Sequence, residues 1–172
     1  MTTIQIRSAR DEDREAIRNV TLAAYEEYAL AIPEPFWLAY RRHLLATLET
    51  KGPEDRIVAE RGGLVVGSVL LYPPAAGAYG PAGGDGRWPE VRLLAVLPEA
   101  RGHGVGSALM RECVRRAREM GAPVLGLHTT DMMRAAVRMY ERMGFTRAPE
   151  TDFEPGGGIV VKGLRLDLAG LR

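Results

Sequence analysis

The feature that most constrains this chain is a turn with glycine at every second position, at Gly102, Gly104 and Gly106. The turn follows residues 90–97, whose aliphatic pattern predicts a strand, and precedes residues 105–120, whose apolar spacing predicts a helix. Glycine lets the backbone adopt angles that other residues resist and lets a ligand approach closely. The first turn of a helix also presents backbone amides with partial positive charge. The sequence therefore predicts an anion site suited to a pyrophosphate.

The rest of the chain predicts strands and helices in a mixed order, with strand–helix–strand units in the second half. Further strands are predicted at residues 3–8, 56–60, 64–71, 123–129, 145–147 and 159–168, and further helices at residues 11–28, 36–50 and 132–143. This order predicts an α/β fold with a sheet covered by helices on both faces. The 172 residues contain no internal repeat and no evident linker, so we expect a single domain over residues 1–172.

Composition argues against several classes of protein. The 23 Lys and Arg residues nearly balance the 22 Asp and Glu residues, whereas a broad nucleic-acid-binding face would show a basic excess. The longest aliphatic run, residues 93–97, is too short to cross a bilayer, and the first residues lack the apolar run of a signal peptide. Cys113 is the single cysteine and is expected to pack in a helix, and the three histidines lack metal-ligand spacing. We expect a cytoplasmic protein without a metal, a nucleic-acid partner or a membrane partner.

Three kinds of phosphate-binding turn compete for the glycine-rich segment. A Walker loop would end in Lys-Ser or Lys-Thr, which this turn lacks. A dinucleotide fingerprint would have Gly-x-Gly-x-x-Gly in the first strand–helix turn, with an acidic residue about twenty positions on. The third pattern, Arg/Gln-x-x-Gly-x-Gly/Ala, is matched in full by Arg101, Gly104 and Gly106.

That third pattern resembles the coenzyme-A loop of the GNAT superfamily of N-acetyltransferases. The surrounding sequence is similar to the same family in the right order. Residues 91–98 resemble its fourth strand, residues 124–127 resemble its fifth, and Ala136, Tyr140, Gly144 and Phe145 match its Ala-x-x-x-Tyr-x-x-x-Gly-Phe helix end. The resemblance covers nearly the whole chain and is strongest over residues 90–145.

The resemblance implies a GNAT-like mixed central sheet with splayed fourth and fifth strands and acetyl-CoA as co-substrate. The backbone of the fourth strand would pair with the pantetheine arm, and the turn would hold the pyrophosphate. The residues that this implies for binding are Leu94, Ala95, Val96, Arg101, Gly102, His103, Gly104, Val105, Gly106 and Ser107. The family's usual Asn before the tyrosine is replaced by Met133, which puts one pantetheine contact in doubt.

The implied reaction is direct acyl transfer from a thioester to a primary amine in a ternary complex. Tyr140 matches the family's general acid, which protonates the departing thiolate, and its alternative role is that of a core aromatic. A lysine-like amine has a pKa of about 10.4 and must lose a proton before it attacks. Glu90, at the start of the fourth strand, is the candidate base, and His128 is an alternative. A covalent intermediate on Cys113 is not expected.

The acceptor is predicted only as an amine of a small molecule or a peptide. Its candidate walls are Tyr25, Tyr28, Phe36, Trp37, the Gly- and Pro-rich residues 73–87 and residues 152–158, with Glu26, Glu27 and Glu34 as acids that attract a cation. A non-catalytic coenzyme-A-binding sensor or interaction domain of the same fold is the alternative function, and an acyltransferase for longer chains is a third. Residues 159–168 are expected to behave as an edge strand, through which two copies would pair as a homodimer.

Overall fold

The computed structural model describes residues 2–74 and 86–170. They form two compact units, composed of Met1–Leu70 with Leu93–Glu112 and of Leu71–Arg92 with Cys113–Arg172. Three elements contribute residues to both units: β3 (Leu64–Tyr72), β4 (Glu90–Val96) and α3 (Val105–Glu119). No helix among the described residues has the length and apolar character that a bilayer span requires.

In the first unit, the strands follow the order β1 (Ile4–Ser8), β2 (Asp55–Arg61), β3 and β4, and the antiparallel β1–β2 pair sets Ile4 opposite Arg61. The helices are α1 (Arg14–Tyr25) and α2 (Glu34–Glu49), with a 3-10 helix at Glu26–Leu30 between them. Burial of Leu44, Ile57, Leu70, Leu109 and Met110 forms the centre of its core.

Two arginines stabilise helix ends in this unit, one at the start of α1 and one at the end of α2. Arg7 donates to Asp13 at 2.7 and 3.0 Å and to Glu60 at 2.8 and 3.0 Å, which ties β1 to β2 and to the start of α1. Arg56 donates to the carbonyls of Leu48 at 2.7 Å and Thr50 at 2.6 Å. These carbonyls at the end of α2 lack partners within the helix, so Arg56 supplies the donors that they need.

In the second unit, the strand order is β4, β5 (Val124–Thr129), β8 (Ile159–Asp167) and β6 (Thr146–Arg147), and β7 (Phe153–Gly156) also pairs with β8. The β4–β5 pair is parallel and joins Glu90 and Val91 to Gly126 and Leu127. Helix α4 (Arg134–Arg142) is followed by Gly144, whose φ of +96° lets the chain reverse after the helix. The predicted mixed α/β sheet with helices packed around it is confirmed.

The predicted elements are present with ends within two residues of the predicted ones, except that residues 11–28 form α1 flanked by 3-10 turns. Strand β7 was not predicted, because its sequence, Phe-Glu-Pro-Gly, has no alternating pattern. The prediction that residues 159–168 form an edge strand is wrong. Strand β8 lies between β5 and β6, so its backbone groups are already paired on both sides within the chain. The reasoning from an exposed edge to a homodimer therefore does not hold.

Candidate functional site

The predicted anion site is built on the turn between β4 and α3 in the first unit. Gly102 and Gly104 have φ angles of +76° and +78°, a conformation that glycine adopts without strain. The first backbone bond of α3 runs from the Ala108 amide to the Gly104 carbonyl at 3.0 Å. The amides of Val105, Gly106 and Ser107 precede this bond, at the positive end of a 15-residue helix. A Cβ built at Gly102 or Gly104 would meet nothing within 4 Å, which leaves room for a ligand beside the turn.

The position of this turn depends on a glycine in β3 that no motif includes. A Cβ built at Gly67 would lie 2.9 Å from Val105 Cγ1, 3.0 Å from Leu109 Cδ1 and 3.2 Å from the Ala95 carbonyl oxygen. Val105 and Leu109 are almost wholly buried. Because position 67 lacks a side chain, the first turns of α3 pack directly against the strand backbone.

Arg101 has a different arrangement from the anion contact that the motif suggests. Its guanidinium donates to the Glu27 carboxylate at 2.8 Å, to the Ala24 carbonyl at 3.2 Å and to the Val96 carbonyl at 3.3 Å. These contacts hold the turn to the end of α1 and to the end of β4. The Glu27 carboxylate, expected to attract a cationic acceptor, neutralises Arg101 instead. The backbone amides are therefore the donors that this turn offers to an anion.

Strand β4 contains a non-glycine residue with a positive φ angle. Leu93 has a φ of +52°, in the left-handed region that costs a non-glycine residue free energy. Residues Val91, Arg92 and Leu93 are buried in succession, so the two-residue alternation of a regular strand is broken there. One residue further on, the Leu94 carbonyl accepts a hydrogen bond from the Tyr25 hydroxyl at 3.1 Å. Tyr25, expected in the acceptor wall, is buried and binds this strand.

The second unit brings together the two candidate bases. Glu90 and His128, which are 38 positions apart, form a hydrogen-bonded pair between the Glu90 Oε1 atom and the His128 Nδ1 atom. The other ring nitrogen, Nε2, lies 2.8 Å from the Thr151 carbonyl oxygen. Burial lowers the pKa of His128, but the Glu90 carboxylate and the Thr151 carbonyl outweigh burial and raise it above its ordinary value.

The Glu90 carboxylate lies beside a small cavity of about 20 Å³, which is large enough for a water molecule. A Cβ built at Gly126 would lie 2.8 Å from the Trp88 Nε1 atom and 3.5 Å from the Glu90 Oε2 atom. The indole and the second carboxylate oxygen therefore both cover Gly126. Arg87 lies over the Trp88 ring, with its guanidinium carbon 5.5 Å from the ring centroid.

Tyr140, the predicted general acid, is a largely buried residue of α4. It is 6 % exposed, and its ring lies 5.8 Å from that of Phe145. Both the acid and the core-aromatic interpretations remain compatible with this position. Met133, at the family's Asn position, precedes α4 and accepts a hydrogen bond from the Thr129 hydroxyl at its sulfur, at 3.7 Å. Asp131 is paired with Lys162 at 2.7 Å and does not replace the missing Asn.

Sequence reasoning missed Trp88, the Thr151 carbonyl and the role of Tyr25. Trp88 had a usable signal, since it stands two positions before Glu90. The other two contacts join distant segments and carry no local signal.

The predicted loop at residues 73–87 lies mostly outside the described residues. Within residues 2–74 and 86–170, no group of three or more His, Cys, Asp and Glu side chains is arranged to hold a metal ion. Cys113 is buried as predicted.

Comparison with known proteins finds acetyltransferases among the sequence relatives of this chain. A mycothiol acetyltransferase from Thermobispora bispora is 38% identical over 97 residues, which cover 55% of this chain and 31% of that protein. An IAA acetyltransferase from Azospirillum brasilense is 31% identical over 119 residues, covering 68% of this chain and 72% of that protein. The chain thus spans about a third of the mycothiol acetyltransferase that it matches.

Solved structures show the same fold. The ribosomal-protein-S18-alanine N-acetyltransferase from Escherichia coli superposes with a TM-score of 0.66 at 16% identity, covering 96% of this chain and 94% of that one. A GNAT family acetyltransferase from Brucella melitensis, solved in complex with acetyl-CoA, gives a TM-score of 0.59 at 28% identity over 84% of this chain and 83% of that one. The model of the acetyltransferase (GNAT) family matches residues 15–145, and the chain therefore belongs to that family.

Proposed function

We propose that this protein is an acetyl-CoA-dependent N-acetyltransferase that moves an acetyl group to a primary amine of a small molecule or a peptide. The observation that carries the proposal is the turn at Gly102–Ser107, with two glycines at positive φ leading into the N-terminus of α3. Its amides and the open space beside Gly102 and Gly104 fit a pyrophosphate. Family membership and the Brucella melitensis structure with acetyl-CoA support the same ligand.

In the proposed complex, the amides from Gly102 to Ser107 bind the pyrophosphate, and the backbone of Leu94, Ala95 and Val96 pairs with the pantetheine arm. Acetyl-CoA supplies an acetyl thioester. The Leu94 carbonyl accepts a hydrogen bond from the Tyr25 hydroxyl, the Val96 carbonyl accepts one from the Arg101 guanidinium, and a carbonyl oxygen has two lone pairs. Arg101 acts by holding the turn against α1 rather than by contacting phosphate.

The proposed chemistry divides proton transfer between two side chains. Glu90 accepts the proton that the acceptor ammonium must lose, directly or through a water in the adjoining cavity. The neutral nitrogen then forms a bond to the acetyl carbon as the bond from carbon to sulfur breaks. Tyr140 donates its hydroxyl proton to the thiolate that leaves, and the second proton that the acylated nitrogen loses restores the Tyr140 hydroxyl. The acetylated amine and the free thiol are the products, and Cys113 takes no part because it is buried in α3.

A second function, coenzyme-A binding without transfer, is favoured by one observation. Met133 stands where the family commonly has an Asn, and its sulfur accepts a weak bond from Thr129. The two functions differ in one measurement. An enzyme releases thiol from acetyl-CoA only when an acceptor amine is present, and a binding domain releases none with any amine.

Thermal unfolding with acetyl-CoA, coenzyme A and ATP tests the binding site. A ligand at one hundred times its Kd stabilises the native state by about 2.7 kcal/mol. For a domain of this size, that raises the unfolding midpoint by about 5–11 °C. Substitution Gly104→Asp puts a negative charge beside the amides and should abolish the rise with acetyl-CoA.

The matched control is Gly63→Asp. Gly63 has a φ of +80° against +78° for Gly104, and a Cβ at either position would meet nothing within 4 Å. Both variants should therefore lower the unfolding midpoint of the unliganded protein by similar amounts, and only Gly104→Asp should lose the acetyl-CoA response. Absence of a rise in the unsubstituted protein would refute the proposed co-substrate.

A further inference from the structure

His128 is held in one protonation pattern by its surroundings. A carbonyl oxygen can only accept a hydrogen bond, so the contact of Nε2 with Thr151 at 2.8 Å requires a proton on Nε2. The contact between Nδ1 and the Glu90 carboxylate requires a second proton between those two atoms. The pair therefore holds two protons, one on Nε2 and one between Nδ1 and Glu90. When Nδ1 carries the shared proton, His128 is an imidazolium and Glu90 is a carboxylate.

The Thr151 carbonyl is fixed in place by a glycine on the neighbouring strand. Gly163 lies opposite His128 in the β5–β8 register, and a Cβ there would lie 1.7 Å from the Thr151 hydroxyl oxygen and 3.0 Å from the Ala148 carbonyl oxygen. Without that atom, the 3-10 turn Pro149–Thr151 lies against β8. It is held there by bonds from the Ala148 amide to the Gly163 carbonyl at 2.9 Å and from the Thr151 hydroxyl to the Ala148 carbonyl at 2.8 Å.

Charges on the elements around His128 favour the ionised pair. From β4, Glu90 contributes a carboxylate in direct contact, and after the 3-10 turn Asp152 contributes a second negative charge. Arg147 of β6 binds Asp152 at 2.6 and 2.9 Å, so that charge is partly neutralised. Phe153 adds an aromatic ring 5.4 Å from the His128 ring. The cations that flank Gly163 on β8 are paired with other acids, Lys162 with Asp131 and Arg165 with Glu150.

We infer that His128 is a positioning residue that stays an imidazolium between the Thr151 carbonyl and Glu90, keeps Glu90 ionised, and orients its Oε2 atom beside Trp88 to receive a cationic amine. This inference rests on the proposed function. The Glu90 side chain is 12 % exposed, and the imidazolium in direct contact balances its negative charge.

The geometry assigns separate tasks to the two carboxylate oxygens. Oε1 accepts the bond from His128, and Oε2 lies over Gly126 near the indole of Trp88. A proton that leaves the acceptor nitrogen goes to Oε2, and both ring protons of His128 stay where they are. His128 is therefore not the base, because neither of its nitrogens has a lone pair to offer. The transferred proton then passes from Glu90 to solvent.

The first test needs no turnover. Long-range proton–nitrogen spectra of protein labelled in histidine nitrogen, recorded from pH 5 to pH 9, report the protonation of each ring, and His128→Asn assigns the His128 signals by their loss. The unsubstituted protein should show both His128 nitrogens protonated at pH 7. Glu90→Gln should lower the midpoint of that titration, because the carboxylate that raises the pKa of His128 is gone. A neutral His128 ring at pH 7, or a midpoint that does not move in Glu90→Gln, would overturn the ion pair.

The second test measures the role of that ion pair in transfer. In His128→Asn, kcat/KM for the amine should fall about tenfold or more, because the Glu90 carboxylate loses the partner that orients it. The KM for acetyl-CoA should not change. In the Glu90→Gln background, His128→Asn should cause no further fall, because His128 acts through Glu90. A further fall of similar size in that background would contradict the positioning role, since a purely structural residue lowers the rate whether or not Glu90 is present.

Two controls separate the possible failures. Glu119→Gln removes an exposed carboxylate that is paired with Arg115 at the end of α3. It should alter neither the histidine nitrogen spectra nor kcat/KM for the amine. Circular dichroism and thermal unfolding establish that each variant is folded. If the unsubstituted protein transfers acetyl to no amine, the proposed function fails, while the nitrogen spectra still decide whether His128 is an imidazolium.

Discussion

A methyl group added at Gly67 tests whether the packing of β3 against α3 sets the position of the glycine-rich turn at residues 102–107. In Gly67→Ala, the new Cβ would lie 2.9 Å from Val105 Cγ1 and 3.0 Å from Leu109 Cδ1. The Ala95 carbonyl oxygen, 3.2 Å away, belongs to the backbone of β4 and has little freedom to retreat. The strain must therefore be relieved mainly by the first turns of α3.

The expected magnitude follows from these distances. Val105 Cγ1 must retreat from 2.9 to 3.4 Å to reach ordinary contact, a movement of about 0.5 Å. Overpacking of a buried site costs about 1–3 kcal/mol. Removing a glycine from a strand returns about 0.5–1 kcal/mol of this through lower conformational entropy of the unfolded chain. We expect a net loss of about 1–2 kcal/mol, which lowers the unfolding midpoint by about 2–8 °C in a domain of this size.

Urea unfolding gives the free energy of unfolding, and a binding titration with acetyl-CoA gives the Kd. Gly67→Ala should weaken binding as well as stability, because Val105 is part of the turn that offers its amides. The double variant Gly67→Ala/Val105→Ala removes the Cγ1 atom that clashes, and it should be less destabilised than the sum of the single variants by at least about 0.5 kcal/mol. Additive free energies, or a Gly67→Ala protein as stable as the original, would refute the packing argument.

Three further predictions concern single side chains. Arg101→Met loses the bonds to Ala24, Glu27 and Val96 and should raise the Kd for acetyl-CoA several-fold in a binding titration, because a half-exposed ion pair contributes about 1 kcal/mol or less. Tyr140→Phe should lose about 10²-fold in kcat, measured by thiol release. Arg147 lowers the pKa of Asp152 to about 2, so Asp152 stabilises the native state above pH 4 and loses this contribution as the pH falls toward 2. Asp152→Asn should therefore unfold more easily at pH 7, with a smaller loss of stability on acidification.

The elements and the conformation of the glycine-rich turn could be predicted because their signals are local. The alternation in residues 64–71 and the apolar spacing in residues 105–120 report which faces are buried, and the structure has β3 and α3 at these positions. The turn is equally local, since Gly102 and Gly104 need only their own φ angles. Strand β8 shows the limit of such signals. Its alternation predicts a strand, but its neighbours in the sheet depend on where distant segments return.

The partners of charged side chains could not be predicted for the same reason. Arg101 and Glu27 are 74 positions apart, and Glu90 and His128 are 38 apart. The sequence identified Glu90 and His128 as competing candidates for one role, whereas the structure joins them in one hydrogen-bonded unit. The Thr151 carbonyl carries no side-chain signal at all, because any residue at that position has the same group.

The glycines around the two sites fall into two kinds, and the distinction decides how substitutions should act. Gly102 and Gly104 are needed for their φ angles, and a Cβ there meets no neighbour. A side chain at either position costs roughly 1 kcal/mol of backbone strain and acts mainly on the ligand. Gly67 and Gly163 are needed because a neighbouring segment occupies the place of their side chain. Of the first kind, Gly104 belongs to the Arg/Gln-x-x-Gly-x-Gly/Ala motif and Gly102 does not. The second kind lies in strands, where a substitution should reduce stability before it reduces binding. These positions can be found only from the packed structure, because a neighbouring segment is what excludes their side chain.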